Sequence, residues 1–280
     1  MNKSSIVIPS GELIVQAAEE NNLPSLTNTS NKRLTLKIQA EGMWSYGGED
    51  AFANQVDANG NVAETGRHPY MRFPDITPAA LVAVKNNQAV ASGKDQMISL
   101  DPGESVFFVN NDQPGVYGDN SGSLTIKWSI AAINLSNGNT LSQQGGEINS
   151  DIELPSGELI VEATEEQDLP TLMNESDKTI TLKIEAQGLW NYGDTSIYAK
   201  EVDANGNWES SGQEPKMRFS NIKPAALVTI KYDQAIGSGK EQTIQLKPGE
   251  VVSFINNDEP GYYFDNSGTQ TVKWSIVSAY

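Results

Sequence analysis

No cysteine occurs among the 280 residues. Disulfides and thiolate metal sites are therefore excluded, and the redox compartment stays undetermined. Histidine occurs once, at His68, so a multi-histidine zinc centre cannot form within one chain. Basic residues are scarce: 19 Lys and Arg stand against 36 Asp and Glu, a net charge of −17. So acidic a chain offers no cationic face for nucleic acid. Acidity fits a hard cation held by oxygen ligands, and equally a surface kept soluble by charge. No apolar run approaches the roughly 18 residues of a spanning helix, which argues against membrane insertion. The start, MNKSSIVIPSGEL, carries one Lys and a short apolar patch, and does not read as a signal peptide. The localisation stays open between a cytoplasmic protein with release and non-classical export.

What the chain does have is an internal repeat. PSGELIV at Pro9 returns at Pro155, LTLKIQAEGMW at Leu34 returns as ITLKIEAQGLW at Ile180, and VDANGN at Val56 returns at Val202. PAALV at Pro78 returns at Pro224, and each step is 146 residues. The copies align without a gap from Pro9–Ile130 to Pro155–Ile276. A unit of that length is a domain rather than a solenoid repeat. Residues 134–150, rich in Ser, Asn, Gly and Gln, read as a linker. The expected division is 1–133 and 151–280.

Each copy reads as all-β. In RLTLKIQ, Leu34, Leu36 and Ile38 alternate with Thr35, Lys37 and Gln39, the pattern of a half-buried strand. SLTIKWSI repeats it, and ESVFFVN and AALVAVK add short strands rich in β-branched and aromatic residues. Only IVQAAEENN and IVEATEEQD hint at helix. Short strands spaced by turns predict two tandem β-sandwiches of jelly-roll type.

One connection, longer than a hairpin needs, carries the chemistry. NNDQPGVYGDNSG, Asn110 to Gly122, lies between two strand patterns and returns as NNDEPGYYFDNSG at Asn256. A hairpin needs only about two to five residues. The extra residues here are oxygen donors: Asp112, Asp119 and Asn120, matched by Asp258, Asp265 and Asn266. A Pro-Gly turn folds the two ends together, where two carboxylates repel unless a cation lies between them. Ca²⁺ takes about six to eight oxygens from carboxylates, amides and carbonyls. The same residue types also build ordinary turns.

The pattern N-D-x-P-G-x-Y-x-D-N-S-G, with W-x-Y-G upstream at Trp44 and Trp190, resembles the calcium-dependent galactophilic lectins of pseudomonads. The resemblance covers most of each copy. It implies a small β-sandwich with one Ca²⁺ per domain, two per chain, whose shell is completed by vicinal hydroxyls of a galactoside. Carried over, the carbonyls of Tyr46 and Val116 join Asp112, Asp119 and Asn120, with Asp112 and Asp119 also meeting the sugar. In the second copy the carbonyls of Tyr192 and Tyr262 join Asp258, Asp265 and Asn266, with Asp258 and Asp265 in the same double role. The implied partners are galactose-type glycans, and homo-oligomerisation stays open. The family's His-Pro-x-Gln element holds the sugar's primary hydroxyl. Here it reads His68-Pro69-Tyr70-Met71, and Met cannot donate to a hydroxyl. The second copy reads Glu214-Pro215-Lys216-Met217, so either Glu214 accepts from another diol or no sugar binds there. Phe264, in place of Gly118, either stacks on a sugar or closes the site.

Other features read as structure. Asp57-Ala58-Asn59-Gly60 lacks the rest of a calcium hand and predicts a turn. GSGK at Gly237 lacks the longer phosphate-loop pattern and also predicts a turn. Trp44, Trp128, Trp190 and Trp274 match pairwise and predict core, while Trp208 follows a turn and is a candidate for sugar stacking. The reading is a non-enzymatic, calcium-dependent tandem lectin. Its alternatives are a β-sandwich glycosidase, for which no acid–base pair stands out beyond the proposed ligands, and a calcium-stapled structural or adhesive module.

Overall fold

The computed structural model describes residues 3–47, 55–64, 66–134, 149–193, 201–207 and 215–280. Most of the linker at 134–150, together with Trp208 and Glu214, lies outside the described residues. Secondary structure is almost wholly β. The expected helical stretches are not helices: Ile14–Gln16 and Ile160–Glu162 lie in strands, and turns follow. Ala and Glu favour helix only weakly, and here Leu13 and Val15 are fixed by pairing opposite Ile126 and Leu124.

Two compact units form, Pro9–Glu153 and Met1–Ile8 with Leu154–Tyr280. In chain order the strands are β1 (Lys3–Ile6), β2 (Ser10–Gln16), β3 (Ser25–Asn28), β4 (Arg33–Ser45), β5 (Leu81–Lys85), β6 (Gln88–Ser92), β7 (Asp95–Leu100), β8 (Ser105–Asn110) and β9 (Ser121–Asn134). Then come β10 (Asn149–Ile152), β11 (Ser156–Glu162), β12 (Thr171–Asn174), β13 (Ile180–Trp190), β14 (Leu227–Lys231), β15 (Gln234–Ser238), β16 (Glu241–Leu246), β17 (Val251–Asn256) and β18 (Gly268–Ala279). The Pro9–Glu153 unit has one sheet ordered β10-β3-β8-β5-β6 and a second in which β7, β4, β9 and β2 are neighbours. The other unit has β1-β12-β17-β14-β15, and β16, β13, β18 and β11. The two-sheet β-sandwich expected from the alternation is therefore present in both.

In one sheet of each unit the edge strand comes from the short segment that precedes the other repeat. β1 lies parallel to β12, with Lys3 opposite Thr171 and Ile6 opposite Asn174. β10 lies parallel to β3, with Asn149 opposite Ser25 and Ile152 opposite Asn28. Ile6 and Ile152 are fully buried. Matching bonds seal the two joins: Glu175 N–H donates to the Ile6 carbonyl at 3.0 Å, and Thr29 Oγ1 donates to the Ile152 carbonyl at 3.2 Å.

Core and surface alternate as the sequence predicts. Along β4, Leu34, Leu36, Ile38 and Ala40 are buried while Lys37, Gln39 and Glu41 are exposed. Trp44, Trp128, Trp190 and Trp274 all pack into the cores. β5 is buried on both faces along Leu81–Val84. Its outer residues Val82 and Val84 pack with Val109, Tyr117, Phe73 and Ile76. The connections that carry the site residues thus roof the sheet, and Val228, Ile230, Ile255 and Tyr263 form the corresponding cluster.

An ion pair closes one end of each sandwich. Lys85 Nζ lies 2.6 Å from Glu104 Oε2, which also accepts the Asp101 N–H at 2.8 Å. Lys231 and Glu250 repeat it at 3.0 Å. Burial raises the Glu104 carboxyl, but Lys85 and the Asp101 N–H outweigh it, so the net shift is downward. A lowered folded-state pKa stabilises above the unfolded value of about 4.3, and that contribution is lost as pH falls through the folded value. Glu104→Gln is expected to cost about 1–2 kcal/mol at pH 7. In urea melts the gap to the parent should narrow below about pH 4 and close under still more acid conditions. A gap that is constant from pH 7 to pH 2 would contradict this.

Candidate functional site

The Asn110–Gly122 connection is held from below and behind. Tyr117 is buried, and its hydroxyl donates to the Asn110 carbonyl at 2.8 Å. A single 3₁₀ turn, Tyr117–Asp119, carries the chain back up. Asn111, fully buried, donates through Nδ2 to the carbonyls of Phe73, Ile76 and Thr77 and accepts the Phe73 N–H. Ala79 is in the left-handed region at φ 57°. It is held there by Trp44 Nε1 donating to its carbonyl at 2.8 Å, while its own N–H donates to the Asn111 carbonyl at 2.8 Å. At the exit Gly122 has φ 88°, and a Cβ there would meet the Met43 carbonyl at 2.7 Å. The last glycine of the motif is therefore set by backbone approach, not by ligand chemistry.

These supports bring Asp112 and Asn120 together. Asp112 and Asn120 are buried, and Asn120 Nδ2 donates to Asp112 Oδ2 at 2.8 Å. Asn120 Oδ1 accepts the Gly47 N–H at 2.8 Å, which places Tyr46 beside the loop end. Asp119 lies on the exposed side, one residue along, and its N–H donates to the Val116 carbonyl at 3.4 Å. In the second unit Asn266 Nδ2 donates to Asp258 Oδ2 at 2.8 Å. There Ser267 N–H donates to Asn191 Oδ1 at 2.8 Å, tying the loop to the strand before Tyr192. Burial pushes the Asp258 carboxyl up against the donations from Asn266 and Glu259, and the charges of Asp265 and Glu259 add to the rise.

The second unit offers a test of fit for a cation. Asp265 Oδ1 and Asn266 Oδ1 are buried with no hydrogen-bond partner. Both are acceptors, so a cation or a donor must satisfy them. A carboxylate pair, an amide oxygen and nearby carbonyls are the oxygen set of Ca²⁺. Among the described residues no three His, Cys, Asp or Glu side chains gather as a metal group. A site of this kind would therefore depend on amide and backbone oxygens for most of its shell.

His68 occupies a turn attached to the same loop. The Arg72 N–H donates to the Asp112 carbonyl at 2.9 Å, and the His68 N–H donates to the Pro74 carbonyl at 2.9 Å. His68 Nδ1 lies 3.7 Å from Glu64 Oε2. Nε2 is buried without a partner. Glu64 Oε1 accepts from the Tyr46 hydroxyl at 2.9 Å and from Asn61 Nδ2 at 3.0 Å. Burial, together with Glu64, drives the Tyr46 hydroxyl up to about 12 despite the Asn61 donation. Asn61 and Glu64 thus hold the Tyr46 hydroxyl beside His68, an arrangement that sequence reading missed. The spacing of Tyr46, Asn61, Glu64 and His68 follows no motif. In the second copy Asn207 Nδ2 donates to the Tyr192 hydroxyl at 2.6 Å, but Ser210 stands where Glu64 would be and Glu214 where His68 would be.

Asp57 Oδ1 accepts the Asn59 N–H at 2.8 Å, in the expected turn. In GSGK only Gly239 and Lys240 bend between β15 and β16, while Gly237 and Ser238 end β15.

Residues 10–132 match the family model of the PA-IL-like proteins. The matched residues lie within the Pro9–Glu153 unit. The match points to a non-enzymatic, carbohydrate-binding lectin. Among solved structures the chain is similar to one described as the EclA N-terminal domain, a PllA-like lectin. The identity is 16%, the match covers 43% of this chain and 94% of that one, and the TM-score is 0.32. No curated protein matches the chain. Among the described residues no helix is long and apolar enough to cross a membrane.

Proposed function

We propose that each unit of this PA-IL-like lectin holds one Ca²⁺ and binds vicinal hydroxyls of a galactose-type sugar. The first site takes side-chain oxygens from Asp112, Asp119 and Asn120 and carbonyls from Tyr46 and Val116. The second takes Asp258, Asp265 and Asn266 with the carbonyls of Tyr192 and Tyr262. The observation that carries the reading is the pair of buried, partnerless acceptors on Asp265 and Asn266, on a loop repeated at a constant step. When bound, Ca²⁺ supplies positive charge and open coordination positions for sugar hydroxyls.

The chain's own residues divide the remaining work. Asp112 and Asp119 accept from the sugar hydroxyls, as Asp258 and Asp265 do in the second site. His68, beside Glu64, stands in the first site where the resemblance places a contact to a further hydroxyl. The second site has Glu214 at that place as an acceptor. Two weak sites on one chain raise avidity by about 10² or more where both engage one surface, which is a physical reason for the repeat.

Retention on a galactose matrix tests the reading. The protein should bind in Ca²⁺, elute with EDTA, and melt at lower temperature after chelation, since the ion binds only the folded state. Retention and melting that are both indifferent to EDTA would refute it. Loss of melting temperature without any retention would favour a calcium-stapled module instead.

A further inference from the structure

The two loops share a backbone and differ in what they display. The residue entering the 3₁₀ turn has φ −116° and ψ 5° at Val116, and φ −111° and ψ 5° at Tyr262. The residue leaving it has φ −76° and ψ 154° at Asn120, and φ −78° and ψ 162° at Asn266. Tyr117 and Tyr263 are both buried beneath the turn. Tyr262 and Phe264 point the other way, 52% and 78% exposed. Their rings stack, with centroids 6.3 Å apart at 28°. The first loop has Val116 and Gly118 at these places and folds identically, so the two rings are not required to shape the loop. Exposing two large aromatics without a packing role is a mark of a binding surface.

From this we infer that Tyr262 and Phe264 form a stacking platform for the C–H face of a pyranoside held at the second site. The inference rests on the proposed sugar function of that site. Asp265 follows Phe264 directly in the chain, and Asp258 belongs to the same loop. The sequence supplies a reason for the difference. The second copy lacks the His68 and Glu64 pair and has Glu214 and Ser210 instead. One site would fix its sugar with an added polar contact, the other with aromatic faces. The platform can also be transplanted. A Cβ on Gly118 meets nothing within 4 Å, and Gly118 is not among the positive-φ glycines, so a phenylalanine fits there.

The test uses the full chain and methyl β-galactoside as probe. With the first site silenced by Asp112→Ala, the ring C–H protons of the probe should shift upfield on binding. Tyr262→Val with Phe264→Gly should abolish that shift and weaken binding by about tenfold, the scale of an aromatic contact, while Ca²⁺ uptake stays intact. Conversely, Val116→Tyr with Gly118→Phe on an Asp258→Ala background should create the shift at the first site. Unchanged affinity and proton shifts in the Tyr262/Phe264 variant would overturn the platform alone, as would binding confined to the first unit. Calcium uptake with no probe bound at either unit would overturn the galactose reading and the platform with it.

Discussion

Asp112→Ala is expected to empty the first site of both ion and sugar while the second keeps both, and Asp258→Ala should do the reverse. Each aspartate is the most buried of its proposed side-chain ligands and one of only two carboxylates in its set. Calcium affinity follows ligand charge. Loss of an outer-shell partner alone costs about 10- to 100-fold in metal sites, so a direct ligand should cost about 100-fold or more. The alanine variant also strips partners from Asn120 Nδ2 and the Gln113 N–H. Some of its effect will therefore be loop stability, on the order of 1–3 kcal/mol for groups left unpaired. Asp112→Asn narrows the difference, because it keeps the shape and one of the two acceptors while removing the charge. If the asparagine variant retains Ca²⁺ at parental affinity, Asp112 is a structural residue and the ligand assignment fails. If either single substitution abolishes binding at both units, the sites are not independent.

The second large effect concerns the N-terminus. Removing Met1–Ile8 should destabilise the unit that begins at Leu154, not the one beginning at Pro9. β1 is the edge partner of β12, and Ile6 is fully buried in that unit, with Ile8 nearly so. Burial of two isoleucines corresponds to about 3–6 kcal/mol, as an upper estimate. Against a typical domain stability of about 5–15 kcal/mol, that is a large share. Hydrogen exchange on the truncated chain should show lost protection in β12 and β17, with β3 and β8 unchanged. The melting transition of the affected unit should fall by about 10 °C or more. Lost protection in β3 and β8 would mean that β1 pairs within its own repeat.

These two expectations mark what the sequence reveals and what it does not. Alternation in Leu34–Gln39 and Leu124–Ile130 predicts strands and their inward faces, because a half-buried strand imposes a period of two. The oxygen-rich loop is legible because so many donors exceed what a turn needs. Strand partnership is another matter. KSSI and NSDI each satisfy either acceptor strand, since backbone bonds carry no sequence information, and only the assembled sheets fix which one is used. Asn61 and Glu64 were missed because their role arises from folding around Tyr46, not from spacing. The helical hint in IVQAAEENN failed for a related reason: cross-strand pairing with β9 outweighs a weak local preference. The exposed pairing of Tyr262 with Phe264 needed the contrast between two loops of one backbone.

The central claim, two calcium ions presenting two sugar sites, is tested most directly by calorimetry. Chelator-stripped protein is titrated with Ca²⁺, then the loaded form with galactose. The account predicts two ions per chain and a galactose signal that vanishes without calcium. No calcium uptake at all would contradict it.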